Sequence, residues 1–139
     1  MSASRSGGGP GLGDEVIRVA KEARNPTILV SHGPPHGEDA QALDRTSDGK
    51  VGDPEINRAI SEGDIEFGFF SNIKEAGARA VQSPDGETTI GDGQKAARLY
   101  LNPGPADTIG WEMMDGTQST GMAAVFRLAV LFDWHEAVA

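Results

Sequence analysis

The chain of 139 residues contains no cysteine. No disulfide can stabilise its fold, and no thiolate is present for a zinc site. Any bound metal would therefore need His, Asp, Glu or Asn ligands. A protein without cysteine is compatible with a reducing compartment, and we predict a cytoplasmic location.

Long apolar runs and basic clusters are also missing. The longest apolar stretches are far shorter than the roughly 20 residues that a membrane-spanning helix requires, so we expect no membrane partner. Lys and Arg number 12 against 21 Asp and Glu, for a formal net charge of -9. This balance argues against nucleic acid as the primary partner. An acidic chain that binds a phosphate needs local positive charge from a metal or from a particular Lys or Arg.

The composition indicates one small domain with a tail at each end. Residues 1–13 are rich in Gly and Ser and are predicted to form a flexible leader. The domain is assigned to residues 14–131. Residues 132–139 form a C-terminal tail with no clear structural signal.

The first half of the domain alternates helices and strands. "DEVIRVAKEAR" (14–24) has helical spacing of its apolar residues and begins at a potential N-cap, Asp14. "TILVSH" (27–32) is apolar without alternation, which predicts a strand buried on both faces. "DPEINRAISEG" (53–63) predicts a second helix. "IEFGFF" (65–70) predicts a second buried strand.

The second half shows short β-like segments separated by turn signals. They are "ARAVQ", "ETTI", "AARLYLN" and "GMAAVFRLAVLF". We predict an α/β fold in which helix, strand, helix and strand are followed by a β meander. The meander would form a second sheet stacked on the first, with helices outside. Residues 33–52 are predicted to be a long surface loop of the kind that carries function.

Two of the three histidines lie within "ILVSHGPPHG" (28–37). His32 ends an apolar strand, where ligands of open α/β sheets gather, so it is a candidate ligand. The alternative is a hydrogen-bonded structural histidine. His36 follows a Gly-Pro-Pro that prevents a helix, so the pair is not an i, i+4 chelate, and a loop role is favoured for it.

Four stretches occur in an order that resembles a known family. They are "ILVSHGPPHGED", "VGDPEINRAI", "FSNIKEAGARA" and "LNPGPAD", and the resemblance covers roughly residues 15–128. Their order and spacing resemble the C-terminal half of calcineurin-like metallophosphoesterases, particularly the small bacterial and archaeal branch with a His-x-Pro-Pro loop. The resemblance implies the C-terminal half of a four-layer α/β/β/α sandwich. It also implies two divalent metals (Mn²⁺, Fe²⁺ or Zn²⁺) at the strand ends, where a metal-bridging hydroxide attacks a phosphoester.

The chain departs from the family at its metal ligands. The N-terminal motifs Asp-x-His, Gly-Asp and Gly-Asn-His do not occur in their family order ahead of His32. Where the family has Gly-His-Ile-His-Glu, this chain has Ser-Asn-Ile-Lys-Glu (71–75). An Asn oxygen can ligate a cation, so the resemblance leaves His32 and Asn72 as candidate metal ligands. Lys74 cannot ligate a metal but can bind a phosphate or carboxylate, with an exposed structural lysine as the alternative. His36 is a second candidate for anion binding.

We therefore expect a metallophosphoesterase-like protein that cannot assemble the two-metal site alone. It would act as a non-catalytic phosphoester-binding or structural module, with any metal bound weakly or not at all. One alternative is a metal-dependent phosphoester hydrolase completed by an N-terminal half or a partner chain. A second is an unrelated small α/β binding domain. Half of a sandwich leaves a sheet edge and an apolar face unpaired, so self-association or a complementing chain is expected.

Overall fold

A computed structural model describes residues 11–129. This part of the chain is a mixed α/β fold with two helices, a four-stranded sheet and two short hairpins. The elements in chain order are α1 (Leu12–Glu22), β1 (Ile28–Ser31), β2 (Arg45–Thr46), β3 (Gly49–Lys50), α2 (Pro54–Glu62), β4 (Phe67–Phe70), a 3₁₀ turn (Lys74–Ala76), β5 (Arg79–Val81), β6 (Leu99–Asn102), β7 (Trp111–Glu112) and β8 (Gln118–Ser119). The predicted α/β class is confirmed at this level.

The N-cap of helix α1 lies three residues before Asp14, the N-cap predicted from the sequence. Gly11 is the N-cap, and its backbone N–H donates to Asp14 Oδ2 over 3.2 Å. The Asp14 carboxylate, in the first turn of the helix, therefore accepts a hydrogen bond from the N–H of the N-cap residue, as the N3 side chain does in a capping box. The helix ends at Glu22, because its C-cap Ala23 is already extended (φ -66°, ψ 137°), and Pro26 follows three residues later.

Helix α2 follows its sequence signals closely. Asp53 is the N-cap and accepts a hydrogen bond from the Glu55 N–H (2.9 Å), with Pro54 at the first helical position. Its buried residues are Ala59 and Ile60, which lie on the face that turns toward the sheet core. The capping residues and the apolar spacing therefore act together in this segment.

The sheet has the strand order β1-β4-β6-β5. Strands β1, β4 and β6 are parallel, and β5 is antiparallel to β6. The prediction that the later strands form a second sheet stacked on the first is wrong for β5 and β6, because both belong to the same sheet as β1 and β4, with β6 between β4 and β5. "ETTI" contributes only an isolated bridge between Val81 and Thr89. The segment 121–129 contains no strand, and the rest of "GMAAVFRLAVLF" lies outside the described residues.

The inner face of the sheet carries the core. Its buried cluster joins three strand residues with residues of the 33–52 segment and of α2; the members are Leu43, Ile60, Phe70, Val81 and Tyr100. The Tyr100 hydroxyl donates to the Ile65 carbonyl over 2.7 Å, which satisfies its polar end. Burial raises the pKa of Tyr100.

The opposite face of the sheet, here called the outer face, is also apolar. Side chains alternate between the two faces of a strand, and the strand register places six residues on this side: Ile28, Val30, Phe67, Phe69, Leu99 and Leu101. Val30 is 73% exposed, and the Phe69 ring lies 4.6 Å from that of Phe126. The prediction that β1 is buried on both faces is therefore wrong for residues 11–129, where the other two sheets are two-stranded hairpins.

The described residues also bear on the membrane question. Residues 11–129 include no helix with the length and apolar character needed to cross a membrane.

Candidate functional site

The carboxyl ends of β1 and β4 lie side by side at one end of the sheet. Ser31 pairs with Phe70 in the parallel register, and the Ser71 N–H donates to the His32 carbonyl over 3.2 Å. The Ser71 hydroxyl also donates to this carbonyl over 3.1 Å. The structure therefore brings the exposed residue His32 to the same end of the sheet as Asn72, which follows Ser71. We call this end of the sheet the strand-end site.

Asn72 has a backbone conformation that few residues adopt. Its φ is 69°, in the left-handed region, where Asn is one of the few non-glycine residues that is tolerated. This conformation turns the chain from β4 toward the 3₁₀ turn that carries Lys74. Asn72 thus serves as a backbone turn residue.

Lys74 is held by an aromatic ring. Its Nζ lies 3.7 Å from the centroid of the Trp111 ring, which is cation–π geometry. The Trp111 Nε1–H in turn donates to the two carboxylate oxygens of Asp107, at 2.9 and 3.1 Å. Asp107 therefore positions the Trp111 ring, and this ring holds the Lys74 ammonium beside the loop that contains Asn72.

Asn102 ties the two sides of the strand-end site together. This side chain is buried at the end of β6, where its Nδ2–H donates to the Ile73 carbonyl (2.7 Å). Its Oδ1 accepts from the Gly104 N–H (3.0 Å). Gly104 has φ 92°, so the Asn-Pro-Gly turn depends on glycine at this position. One amide thus joins the loop after β4 to the turn after β6.

His36 lies in a separate, well-bonded environment. The Asn57 side chain binds both polar groups of the His36 backbone. Its Oδ1 accepts from the His36 N–H (2.7 Å), and its Nδ2–H donates to the His36 carbonyl (2.7 Å). The ring Nδ1 is 3.4 Å from Asp44 Oδ2, and Nε2 is 3.5 Å from Glu38 Oε1. Because carboxylates face both ring nitrogens, His36 is not among the groups on which we base an anion site. Its anion-binding role stays a prediction.

Residues 33–52 are more than the surface loop that was predicted. Ala42, Leu43 and Asp44 are fully buried, and β2 and β3 form a hairpin within the segment. Asp44 Oδ2 accepts from the Gly52 N–H at 3.1 Å, whereas Oδ1 has no hydrogen-bond partner among the described residues. The polar composition misled the prediction because the apolar pair Ala42-Leu43 is too short to give a periodic signal.

The outer end of this segment is held by an ion pair. Lys50 Nζ lies 2.9 Å from Glu38 Oε2 and also donates to the Glu38 carbonyl (2.6 Å). The hydrogen bond from Lys50 holds the pKa of the Glu38 carboxyl below its usual range. Since Glu38 is exposed, this pair contributes little to stability.

The metal prediction can be compared with the ligand groups in the structure. Within residues 11–129, no three His, Asp or Glu side chains are grouped so as to hold a metal ion. His32 and Asn72 share one end of the sheet, but two ligands are fewer than the four or more that divalent metals usually take. Their role as metal ligands therefore stays a prediction.

Sequence reasoning missed two residues of the strand-end site. Trp111 and Asn102 acquire their contacts only through the fold. The sequence also contains one Asp-x-His pattern, at Asp133 and His135, and both residues lie outside the described part of the chain.

Comparison with known proteins adds no relative. The chain matches no protein-family model, no curated protein and no solved structure. The resemblance to metallophosphoesterases accordingly depends on the four sequence stretches and their order.

Proposed function

We propose that the chain is a non-catalytic anion-binding module of the metallophosphoesterase type, which holds a phosphoester at the strand-end site. The observation that carries this proposal is the meeting of two parallel strand ends, which places His32 and Asn72 at one end of the sheet. Polar groups at the carboxyl ends of parallel strands are the usual location of ligands in α/β sheets.

The positive charge for such a ligand comes from Lys74. Cation–π contact with Trp111 occupies one side of the ammonium group, which has three donors and can direct others at phosphate oxygens. The contact also restricts a flexible side chain before the ligand arrives, which reduces the entropy lost on binding. A fixed local cation is what a chain of net charge -9 needs in order to bind an anion.

Replacement of Lys74 tests the anion site. We expect Lys74→Ala to weaken the binding of p-nitrophenyl phosphate at least tenfold, because it removes the cation of the site. Isothermal titration calorimetry at low salt measures the affinity. The matched control is Lys95→Ala, which removes the same charge from an exposed loop and should leave the affinity within about twofold. Equal affinity of the wild-type protein and Lys74→Ala would contradict the proposal.

The aromatic support of Lys74 gives a second variant. Trp111→Leu keeps an apolar side chain but removes the ring face, so we expect a smaller loss of affinity than in Lys74→Ala. Removing both side chains should then weaken binding no further than Lys74→Ala alone, because Trp111 acts through the lysine.

A second candidate is a phosphoester hydrolase completed by another polypeptide segment. One observation favours it. The outer face is the apolar surface on which the second sheet of a four-layer sandwich would stack, and Val30 there is 73% exposed. On this proposal, metal and turnover would appear only when that segment is in place.

A further inference from the structure

The two edges of the four-stranded sheet differ in how they are covered. At the β5 edge, the segment 88–90 bonds to the strand, with the Gln82 N–H donating to the Thr88 carbonyl (2.9 Å) and the Ile90 N–H to the Ala80 carbonyl (2.8 Å). At the β1 edge, the described residues place no strand or bridge beyond β1. Among residues 11–129, nothing pairs with the hydrogen-bonding groups on this side of the β1 backbone.

Strand β1 also lacks the features that usually protect a free edge. Soluble proteins place charged residues, prolines or bulges on edge strands to prevent pairing with another chain. The sequence Ile28–Ser31 contains no charge and no proline, and Val30 is 73% exposed. This edge is therefore an unprotected site for addition of a β-strand.

A groove runs beside this edge. It has a volume of about 400 Å³ and lies between Val16 and Val19 of α1 and residues 27–30. Val19 is half exposed, so the helix presents apolar surface beyond the last strand of the sheet. A strand added to β1 would lie under these valines and bury them.

We propose that the occupant is β1 of a second copy, paired antiparallel across a twofold axis perpendicular to the sheet. This arrangement is self-complementary, as a twofold interface requires. It joins two four-stranded sheets into one continuous sheet and places both α1 helices on the same face, running in opposite directions.

The charges of α1 match this arrangement. The helix carries Asp14 and Glu15 in its first turn and Lys21 and Glu22 in its last, with Arg24 just beyond it. Within the chain Asp14 pairs with Arg58, and Glu15 and Glu22 both pair with Arg18, so Lys21 and Arg24 leave the C-terminal end of the helix with the excess positive charge. Antiparallel helices bring the acidic end of one copy toward the basic end of the other, at both ends of the interface. Such complementarity favours the antiparallel pairing over the parallel one.

The size of the contact sets the strength of the dimer. A strand of four residues and one flank of a short helix bury less surface than a standard stable interface. The dimer is accordingly weak, and its population rises with concentration across the micromolar range. The inference does not depend on the anion site, since that site lies at the strand ends rather than along the strand edge.

Sedimentation velocity over a range of protein concentrations tests the pairing. The wild-type protein is expected to shift toward dimer as concentration rises, whereas Val30→Lys stays monomeric because two lysines would face each other at the edge. The matched control is Val125→Lys, a substitution at a 95% exposed valine outside the sheet, which should dimerise like the wild type. The proposal is wrong if the wild-type protein stays monomeric at all concentrations. It is also wrong if Val125→Lys abolishes the dimer and Val30→Lys does not.

Single-cysteine cross-linking supplies a test that does not need the lysine variant to fold. Since the chain has no cysteine, Ile28→Cys and Val30→Cys each introduce the only thiol. Opposite residues in an antiparallel pair have Cβ atoms roughly 4.5–5.5 Å apart, near the range that a disulfide spans. Oxidation should yield a covalent dimer from one of the two variants, or from their equimolar mixture if the twofold axis passes through Leu29, and much less from Val125→Cys. Absence of cross-linking in both variants and in their mixture would count against β1 pairing.

Discussion

Replacing Phe70 with alanine is expected to lower the free energy of unfolding by about 3–5 kcal/mol, the range for truncating a buried aromatic side chain. Phe70 is 1% exposed and belongs to the core cluster with Leu43 and Tyr100. Its ring also lies over Gly68, where an added Cβ would be 2.6 Å from it, so this residue has no side chain that could fill the space that the ring leaves. Domains of this size have total stabilities of roughly 5–15 kcal/mol, so the variant should be largely destabilised.

Phe69→Ala is the matched control for Phe70→Ala. It removes the same side chain from the next position of β4, which points to the outer face. Phe69 is only partly buried and has its ring beside Phe126, so we expect less than half the loss seen for Phe70→Ala. Urea unfolding followed by circular dichroism measures both. Equal losses would mean that the outer face is covered as completely as the inner one, against the interpretation given above.

Asn102→Ala is expected to lower the free energy of unfolding by roughly 2–4 kcal/mol, since it leaves two polar groups without a partner at a buried position. The two are the Ile73 carbonyl and the Gly104 N–H. The substitution also releases the loop that carries Lys74, so the affinity for p-nitrophenyl phosphate should fall in the same variant. Asn25→Ala, at an exposed asparagine, is the control and should change the stability by less than about 0.5 kcal/mol.

Asn102→Asp separates the two hydrogen bonds of this amide. A carboxylate can still accept from the Gly104 N–H, but it places a second acceptor against the Ile73 carbonyl, where Asn102 supplies a donor. We expect the variant to be less stable than the wild type at neutral pH. If Asn102→Asp and Asn102→Ala both unfold like the wild type in urea, the amide does not hold the site together.

The elements that were predicted from the sequence are those with complete local signals. Helix α2 begins and ends where Asp53, Pro54 and Gly63 indicate, and β1 and β4 fall within the apolar runs at 27–32 and 65–70. Caps and apolar spacing act over a few residues, so they survive in the fold without help from distant contacts. The carboxyl ends of β1 and β4 could be predicted for the same reason, and His32 and Asn72 follow these ends in the sequence.

What could not be predicted depends on contacts between distant residues. The position of β6 between β4 and β5 is set by pairing, which the chain order of the segments does not encode. The contact of Lys74 with Trp111 joins residues 37 positions apart, and the two hydrogen bonds of Asn102 join separate loops. The burial of Asp44 likewise follows from packing of the 33–52 segment against the core rather than from its own composition.

The most direct test of the central claim is metal analysis combined with a phosphodiesterase assay on the purified chain. The protein is incubated with Mn²⁺, desalted, analysed for bound metal and assayed with bis-p-nitrophenyl phosphate. We predict substoichiometric metal and no turnover above the rate of the buffer, while p-nitrophenyl phosphate still binds in a manner that depends on Lys74. Stoichiometric metal together with turnover would contradict a non-catalytic module and would favour the hydrolase instead.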